Sequence, residues 1–212
     1  MTPYYTDDHV TIYHGRCTEI LPTLEDHVGL LLTDPPYVFS KLLDEQLETR
    51  VLEVQREAQF YGYVLGWAVE WLQQVRIRTA VDGWTPAWIY ADDLYTPVYW
   101  RALSVVQWPL TTWYRTATSE NIIQAGSAQP LRQAQALGRT NIYGPKTADL
   151  IDALIAASPK PTPESGVLLD PFMGTGSSLV AGLRAGWRVV GIETDEASCE
   201  MAATSLSHCE AA

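Results

Sequence analysis

One segment, residues 166–193, constrains the fold more than any other part of the sequence. It reads as an apolar strand (GVLLD), a glycine-rich turn, a helix built on SSLVAGLRAG, and a second apolar strand (WRVVGIE). A helix between two strands is the connection expected for neighbouring parallel strands. The segment therefore predicts an α/β fold around a mainly parallel sheet with helices on both faces.

The remaining sequence continues the alternation of strands and helices. Runs of β-branched, aliphatic or aromatic residues bounded by glycine or proline indicate strands, and apolar residues three or four positions apart indicate helices. The predicted strands are VTIYH (10–14), VGLLLT (28–33), one within WTPAWIYADD (84–93), one within VVQWPLTTWYR (105–115) and one within SENIIQAG (119–126). The predicted helices are a short turn over 18–26, a long helix from about Leu43 to Val75 with a break at Gly62 or Gly66, one over 94–106, and one over 147–157 with Thr147 as its N-cap.

Length and composition predict a single domain over residues 1–212. A chain of 212 residues with 47% hydrophobic residues is long enough to bury one sizeable core. The longest purely aliphatic run, Gly29 to Leu32, is far too short to span a bilayer, and the amino terminus lacks a signal-peptide pattern, so we expect a cytoplasmic protein. The three cysteines have no CxxC spacing, so neither a disulfide framework nor a metal site is expected.

The charge distribution limits how the chain can contact nucleic acid. A net charge of −11 argues against binding through the whole surface, because phosphate contacts need lysine and arginine. Residues 38–140, however, hold nine Lys/Arg against ten Asp/Glu, together with seven of the eight tryptophans. This nearly neutral middle fits a nucleic-acid face, and it also fits a solvated surface over an aromatic core.

The glycine-rich turn, DPFMGTGSS (170–178), follows a strand and opens a helix, which is where open α/β sheets bind ligands. Its glycines let the backbone turn sharply and approach a ligand closely. A dinucleotide fingerprint would need glycine at position 179, which is Leu179, so pyrophosphate binding loses support.

Glu193, at the end of the next strand, can accept hydrogen bonds from both hydroxyls of a ribose. The glycine turn and Glu193 together favour a nucleoside ligand without a phosphate tail, a description that S-adenosylmethionine fits. The alternative is a plain glycine-rich turn beside a surface glutamate.

A second motif, Asp34-Pro35-Pro36-Tyr37, also follows an apolar strand. The two prolines fix the backbone and lack amide hydrogens, so the Asp34 carboxylate and the Pro35 carbonyl can both act as acceptors. Two fixed acceptors would favour a pyramidal exocyclic amine whose lone pair can attack a methyl group. Tyr37 offers a ring for stacking on a base taken out of the duplex. Alone, the motif could be a simple turn; the glycine motif makes a catalytic role the better interpretation.

These segments resemble the permuted, β-class DNA amino-methyltransferases, in which the catalytic motif precedes the cofactor motif. The resemblance covers most of the chain: YYTDDHVTIYHGRCTEILPTL at the start, DPPY, and DPFMGTGSSLVAGLRAGWRVVGIETDEASCEMA. It implies a Rossmann-like S-adenosylmethionine-dependent methyltransferase fold with circularly permuted motif order, and transfer of a methyl group to adenine N6 or cytosine N4 in DNA.

The resemblance also implies which residues form the site. Asp34, Pro35, Pro36 and Tyr37 would hold the target base. Glu193 would bind the cofactor's ribose, and Phe172, Gly174 and Gly176 would line its methionine part. Further cofactor contacts are expected from Cys17, Asp34, Lys146, Asp170, Thr175 and Ser177.

Three departures from the family pattern shape these expectations. Arg16 stands where relatives carry aspartate, so the contact to the cofactor's adenine passes to Cys17 or Thr18 or is missing. In relatives, the helix before the glycine motif commonly opens with lysine followed by proline. Here the segment reads Gly144-Pro145-Lys146-Thr147, so the lysine is present but follows the proline. Little sequence is left for a segment that recognises the DNA sequence. Within residues 38–145, only 38–60 and 115–145 could form minimal recognition elements. Otherwise a homodimer or a second subunit would complete recognition.

Two other functions stay open from the sequence. Methylation of an amine or amide in RNA or protein uses related PPY motifs, although the permuted order favours DNA. A catalytically silent protein that binds DNA or a partner would also explain the acidic charge and Arg16. Adenine is favoured over cytosine by the aspartate that begins the motif, and a bacterial or phage protein, with or without a restriction partner, is expected.

Overall fold

The computed structural model describes residues 1–36, 50–79, 85–115, 120–126, 148–162 and 164–209. The described strands are β1 (Tyr5–Thr6), β2 (Val10–His14), β3 (Val28–Thr33), β4 (Ala87–Asp92), β5 (Leu110–Arg115), β6 (Glu120–Ala125), β7 (Val167–Asp170) and β8 (Arg188–Glu193). The described helices are α1 (Cys17–Ile20), followed by a 3₁₀ turn (Leu21–Thr23), then α2 (Arg50–Arg76), α3 (Thr96–Val105), α4 (Ala148–Ala156), α5 (Ser177–Arg184) and α6 (Glu196–Ser207).

The described strands form one sheet in the order β1-β2-β8-β7-β3-β4-β6-β5. Neighbours from β2 to β4 are parallel, whereas β1 pairs antiparallel with β2, and β6 pairs antiparallel with both β4 and β5. The predicted mainly parallel sheet is therefore confirmed. From β7 the chain continues to β8 on one side, and from β3 it continues to β4 on the other, so the β7/β3 boundary is a switch point of the kind where such sheets bind ligands.

Helices cover both faces, as the sequence predicted. Alternating strand residues place Leu31 and Ile89 in a core with α2 and α3, and Leu30 and Trp88 in a second core with α4, α5 and α6. This follows from the two-residue repeat of a strand, which sends successive side chains to opposite faces. Both faces need a cover because strands buried in this way are apolar throughout.

Helix α2 is continuous through Gly62 and Gly66, so the predicted break is wrong. Each glycine costs about 1 kcal/mol relative to alanine in a helix. Neither glycine faces the core, and the buried stripe on the other face of the helix outweighs that cost. The stripe consists of Val64, Ala68, Trp71, Leu72 and Val75. The part of this predicted helix before Arg50, and the proposed N-cap Thr147, lie outside the described residues.

The orientation of α2 places its amino-terminal half near the carboxyl ends of the strands. The amide of Val28, which begins β3, donates to the carbonyl oxygen of Arg78, just past the end of α2, at 2.9 Å. A helix of 27 residues is about 40 Å long, whereas six residues of strand extend about 20 Å. The helix is therefore about twice as long as the strand beside it.

Two described elements, β1 and α6, were missed by the sequence analysis. The start of α6 did carry a signal, since Asp195 is its N-cap and accepts a hydrogen bond from the amide of Ser198. Among the described helices, none combines the length and apolarity needed to cross a membrane. The described residues also contain no cluster of His, Cys, Asp or Glu suited to a metal ion.

Candidate functional site

The two sequence motifs meet at the carboxyl edge of the sheet. Strands β3 and β7 are parallel neighbours, with Leu31 paired to Leu169. Thr33, the last residue of β3, donates from its hydroxyl to Oδ1 of Asp170 at 2.7 Å. This hydrogen bond joins the residue before Asp34 directly to the first residue of the glycine motif.

Asp170 supports the glycine loop through hydrogen bonds to its carboxylate. Its side chain is only 4% exposed. Besides Thr33, it accepts from the amide of Phe172 at 3.1 Å and from the hydroxyl of Ser178. These hydrogen bonds show that the Asp170 carboxylate is turned into the protein and positions the loop, and the direct cofactor contact from Asp170 stays a prediction.

The loop itself has backbone geometry suited to glycine. Gly174 and Gly176 have φ of 52° and 85°, and a Cβ on Gly176 would lie 2.9 Å from Cβ of Ala202. The amide of Met173 donates to the carbonyl oxygen of Ile192 at 3.1 Å, which ties the loop to β8. Any side chain at position 176 would be strained and would also push the loop away from α6.

Glu193, which ends β8, lies directly beside this loop. Its Oε2 accepts from the amide of Gly174 at 3.0 Å, and its Oε1 accepts from the amides of Thr194 and Asp195 at 2.7 and 2.9 Å. The side chain is half-buried, so one side remains open to solvent. The Thr194 hydroxyl also donates to Oε1, at 3.1 Å. The carboxylate is thereby fixed in place, and Oε2, with a single described donor, keeps a lone pair for a ligand hydroxyl.

An aromatic wall borders the loop on the α2 side. The ring of Phe172 lies 5.4 Å from Trp67 and 5.3 Å from Trp71, and Trp71 contacts Tyr99 at 6.2 Å between centroids. Phe172 and Trp67 are half-buried, whereas Trp71 and Tyr99 are completely buried. The sequence predicted a long helix here, but no signal in it indicated that the buried face of this helix meets Phe172.

Two buried donors in this wall lack hydrogen-bond partners within the described part of the chain, namely Nε1 of Trp71 and the hydroxyl of Tyr99. Buried polar groups are nearly always paired, so such groups are typical of places completed by a ligand or water. Burial, and secondarily the charges of Tyr95 and Asp34, raise the pKa of Tyr99 far above its usual value. Tyr99 therefore stays a neutral donor close to Asp34.

Acidic groups gather at the ends of β3 and β4. Asp34 is half-buried, Pro35 is buried and Pro36 is exposed. Asp92 accepts from the amides of Leu94 and Tyr95 at 2.9 and 2.8 Å. Its pKa is raised, first by burial and also by the charges of Asp93 and Asp34. This edge is thus rich in hydrogen-bond acceptors, which suits a ligand group that donates, such as an amine.

Cys17 begins α1 at the carboxyl end of β2, but it is only 5% exposed and packs in the core with Ile20 and Leu21. Burial raises the pKa of its thiol to about 12. The contact from Cys17 to the cofactor's adenine stays a prediction, and the burial of the side chain leaves the backbone as the group to make it.

We expect the three cysteines to differ sharply in reactivity. Cys17 and Cys199 are buried, with thiol pKa values raised by burial to about 12 and about 11, whereas Cys209 is half-buried. Because the thiolate is the reactive form, a disulfide reagent such as DTNB at pH 8 should modify Cys209 first and the other two only on unfolding. The absorbance time course with and without denaturant measures this, with Cys209→Ser as control. Three equal native rates would contradict the described burial.

The remaining predicted residues divide into two groups. Thr175 and Ser177 are exposed and line a cleft of about 400 Å³ beside α4 and α6, together with Asp152, Arg184 and Ser205. That cleft lies on the opposite face of the sheet from Phe172 and α2. The cofactor contacts from Thr175 and Ser177 stay predictions. Tyr37 and Lys146 lie outside the described residues.

Comparison with known proteins agrees with this geometry. Residues 107–204, from just before β5 through most of α6, match the model of a family described as DNA methylase, N6 and N4. No curated protein sequence matches the chain at a significant level.

Solved structures resemble the whole fold. The DNA modification methylase TTHA0409 of Thermus thermophilus, complexed with S-adenosyl-L-methionine, has a TM-score of 0.66 at 17% identity, covering 94% of this chain and 95% of that one. The cytosine-N4-specific PvuII DNA methyltransferase has a TM-score of 0.68 at 14% identity, covering 95% and 87%. M1.HpyAVI has a TM-score of 0.63 at 17% identity, covering 93% and 99%. The chain thus carries the DNA methylase signature over residues 107–204 on a fold shared with DNA methyltransferases, which confirms its resemblance to the DNA amino-methyltransferase family.

Proposed function

We propose that this protein transfers a methyl group from S-adenosylmethionine to the exocyclic amine of a base in DNA, with adenine N6 as the preferred target. The hydrogen bond from Thr33 to Asp170 carries the proposal, because it joins the strand that precedes Asp34 to the first residue of the glycine motif at one edge of the sheet. The residues proposed to hold the base and those proposed to hold the cofactor would then lie side by side.

The residues beside β7 and β8 fit the proposed cofactor. Glu193 would accept from the ribose, and the open space beside Gly174 and the ring of Phe172 would line the methionine part. The unpaired donors on Trp71 and Tyr99 are consistent with a polar ligand nearby. When bound, the cofactor supplies an electrophilic methyl group on a sulfonium.

Asp34 and the Pro35 carbonyl would hold the amine. Hydrogen bonds from both amine hydrogens to these acceptors draw the nitrogen lone pair out of conjugation with the ring and aim it at the methyl group. Asp92, close to Asp34, keeps the local potential negative while the nitrogen develops positive charge. Tyr37 would stack on the flipped base. Most of the rate enhancement would come from position and charge placement.

The proposal also specifies the base that is methylated and the residues that contact DNA. Aspartate at the head of the motif favours adenine, and cytosine N4 is the alternative, the base on which the structurally similar PvuII enzyme acts. DNA contacts are proposed for residues 38–60 and 115–145, with a homodimer or second subunit completing recognition. A cytoplasmic location in a bacterium or phage is proposed with them.

The direct test is incubation of the protein with S-adenosylmethionine and unmethylated duplex DNA, followed by nucleoside digestion and mass spectrometry. N6-methyladenine supports the proposal, and N4-methylcytosine supports the alternative. Cofactor binding without either product points to RNA, to protein or to a missing partner. Absence of cofactor binding by calorimetry would favour a silent DNA- or partner-binding relative.

Replacement of Glu193 should weaken cofactor binding without removing the fold. Loss of a hydrogen bond from a ribose hydroxyl to a carboxylate corresponds to about 10–100-fold in Kd for Glu193→Ala. Glu193→Gln, which keeps one acceptor oxygen, should lose less. The matched control is Glu196→Ala, which removes a neighbouring exposed acid at the start of α6. Calorimetry measures the three affinities; equal Kd values for Glu193→Ala and wild type would remove Glu193 from the site.

A further inference from the structure

We propose that Trp67, together with Phe172, forms an aromatic site for the positive charge of the cofactor, so that the protein binds the sulfonium form more tightly than the neutral thioether product. The inference rests on the proposed function and assigns a role to a residue outside both sequence motifs. It concerns a specificity-determining contact, since Trp67 would distinguish substrate cofactor from spent cofactor by charge.

The first support is the geometry of the two rings. Trp67 and Phe172 have centroids 5.4 Å apart with planes at 54°, so they form a corner rather than a stack. Both are half-buried, so each keeps open surface while contacting the other. Phe172 lies between Asp170 and the glycine loop, which fixes this corner at the carboxyl edge of the sheet.

The second support is the rigidity of the corner. Trp71, one helical turn after Trp67, is completely buried and lies 5.3 Å from Phe172 at 82° and 6.3 Å from Trp67. Its ring packs against both members of the corner and holds them in place. A preorganised aromatic pair costs little to order when a ligand arrives, so more of the contact energy appears as affinity.

The third support is the placement of Trp67 along α2. Trp67 lies nine residues before Arg76, where α2 ends near the start of β3. Nine residues of helix rise about 14 Å, most of the way up the sheet. Trp67 is therefore in the part of the helix beside the carboxyl-terminal half of β3, toward Asp34, whereas Tyr63, one turn earlier, is 64% exposed.

The physical reason for selectivity is the quadrupole of the aromatic ring. A cation near a ring face is attracted by the negative charge of the π system, and tryptophan is the strongest of the aromatic residues in this respect. Methyl transfer turns a cationic sulfonium into a neutral thioether, which loses this attraction but keeps its apolar contact. Asp34 and Asp92, whose charges act on Tyr99 in the same aromatic wall, would act in the same direction, because their carboxylates favour a cation over a neutral sulfur.

Calorimetry with three probes tests the inference. The probes are S-adenosylmethionine, the amine analogue sinefungin, which carries an ammonium in place of the sulfonium, and S-adenosylhomocysteine, which is neutral at sulfur. We expect Trp67→Leu to weaken the two cationic probes about five- to tenfold, and S-adenosylhomocysteine by about twofold or less. Trp67→Phe should keep part of the cation preference. The matched control is Trp100→Leu, since Trp100 is a 39%-exposed tryptophan on α3.

The outcomes separate this inference from the proposed function. Equal weakening of all three probes, or no change, would overturn the role of Trp67 and leave the cofactor assignment standing. A wild-type protein that binds none of the three would overturn the cofactor assignment itself. If Trp67→Leu does not fold, Trp67→Phe decides, because a ratio of cationic to neutral affinity equal to wild type would contradict a contribution from the indole ring.

Discussion

Asp34→Ala should abolish methyl transfer while leaving affinity for S-adenosylmethionine largely intact. Asp34 follows β3 at the carboxyl edge and is half-buried near Tyr99 and Asp92. It would accept from the amine hydrogen at the moment the nitrogen becomes positive. Loss of one preorganised electrostatic group at a reacting centre costs about 10²–10³ in kcat, and the loss of lone-pair orientation adds to that.

The measurement is single-turnover transfer of labelled methyl groups to DNA, with cofactor affinity determined on the same preparations. Asp34→Asn keeps an acceptor oxygen but lacks the charge, so it should retain more activity than alanine. The matched control is Asp93→Asn, at the same edge, which keeps an acceptor for Asn121. A near-wild-type rate for Asp34→Ala would exclude Asp34 from the mechanism.

Asp170→Ala should produce the largest loss of stability among the site residues. The buried carboxylate accepts from the Thr33 hydroxyl, the Phe172 amide and the Ser178 hydroxyl. Its removal leaves three buried or half-buried donors without this acceptor and opens a void between β3 and β7. Since each unsatisfied buried group costs about 1–3 kcal/mol, we expect a loss of about 2–5 kcal/mol in the free energy of unfolding.

Chemical denaturation followed by circular dichroism measures that loss. Thr33→Val removes a single hydrogen bond to Asp170 and keeps the side-chain shape, so it should cost about 1 kcal/mol. Where Asp170→Ala remains folded, cofactor affinity should also fall, because the amide of Phe172 is no longer held and the glycine loop loses its support. A stable Asp170→Ala protein with unchanged cofactor affinity would show that the loop is held by other contacts.

Much of the fold could be predicted because local patterns carry it. The central strands of the sheet are short runs of aliphatic residues with glycine or proline at their ends. Strands β2, β3, β4, β7 and β8 all lie where these runs predicted them. The glycine turn and DPPY could be placed at strand ends for the same reason. Helix α2 was correct in type but wrong in its break, since burial of Trp71 and Leu72 outweighs the weak propensity of two exposed glycines.

The roles of individual site residues were harder to predict, because they depend on which way a side chain points. Cys17 and Asp170 lie within segments predicted to bind the cofactor, yet the side chains of both are turned into the protein. Thr175 and Ser177 belong to the glycine motif, yet they line a cleft on the other face of the sheet. Sequence spacing gives a residue's position along an element, and packing gives its direction.

The sequence by itself determined the types of the main elements, the two motifs and their order, and hence the kind of chemistry proposed. These depend on residue type and spacing within short segments, where local physics decides. Tertiary structure alone decided that β3 and β7 are neighbours, that Thr33 bonds Asp170 across 137 positions, and that Trp67 meets Phe172. Such contacts depend on strand order and helix packing, which arise from the burial of the whole core, so no local pattern encodes them.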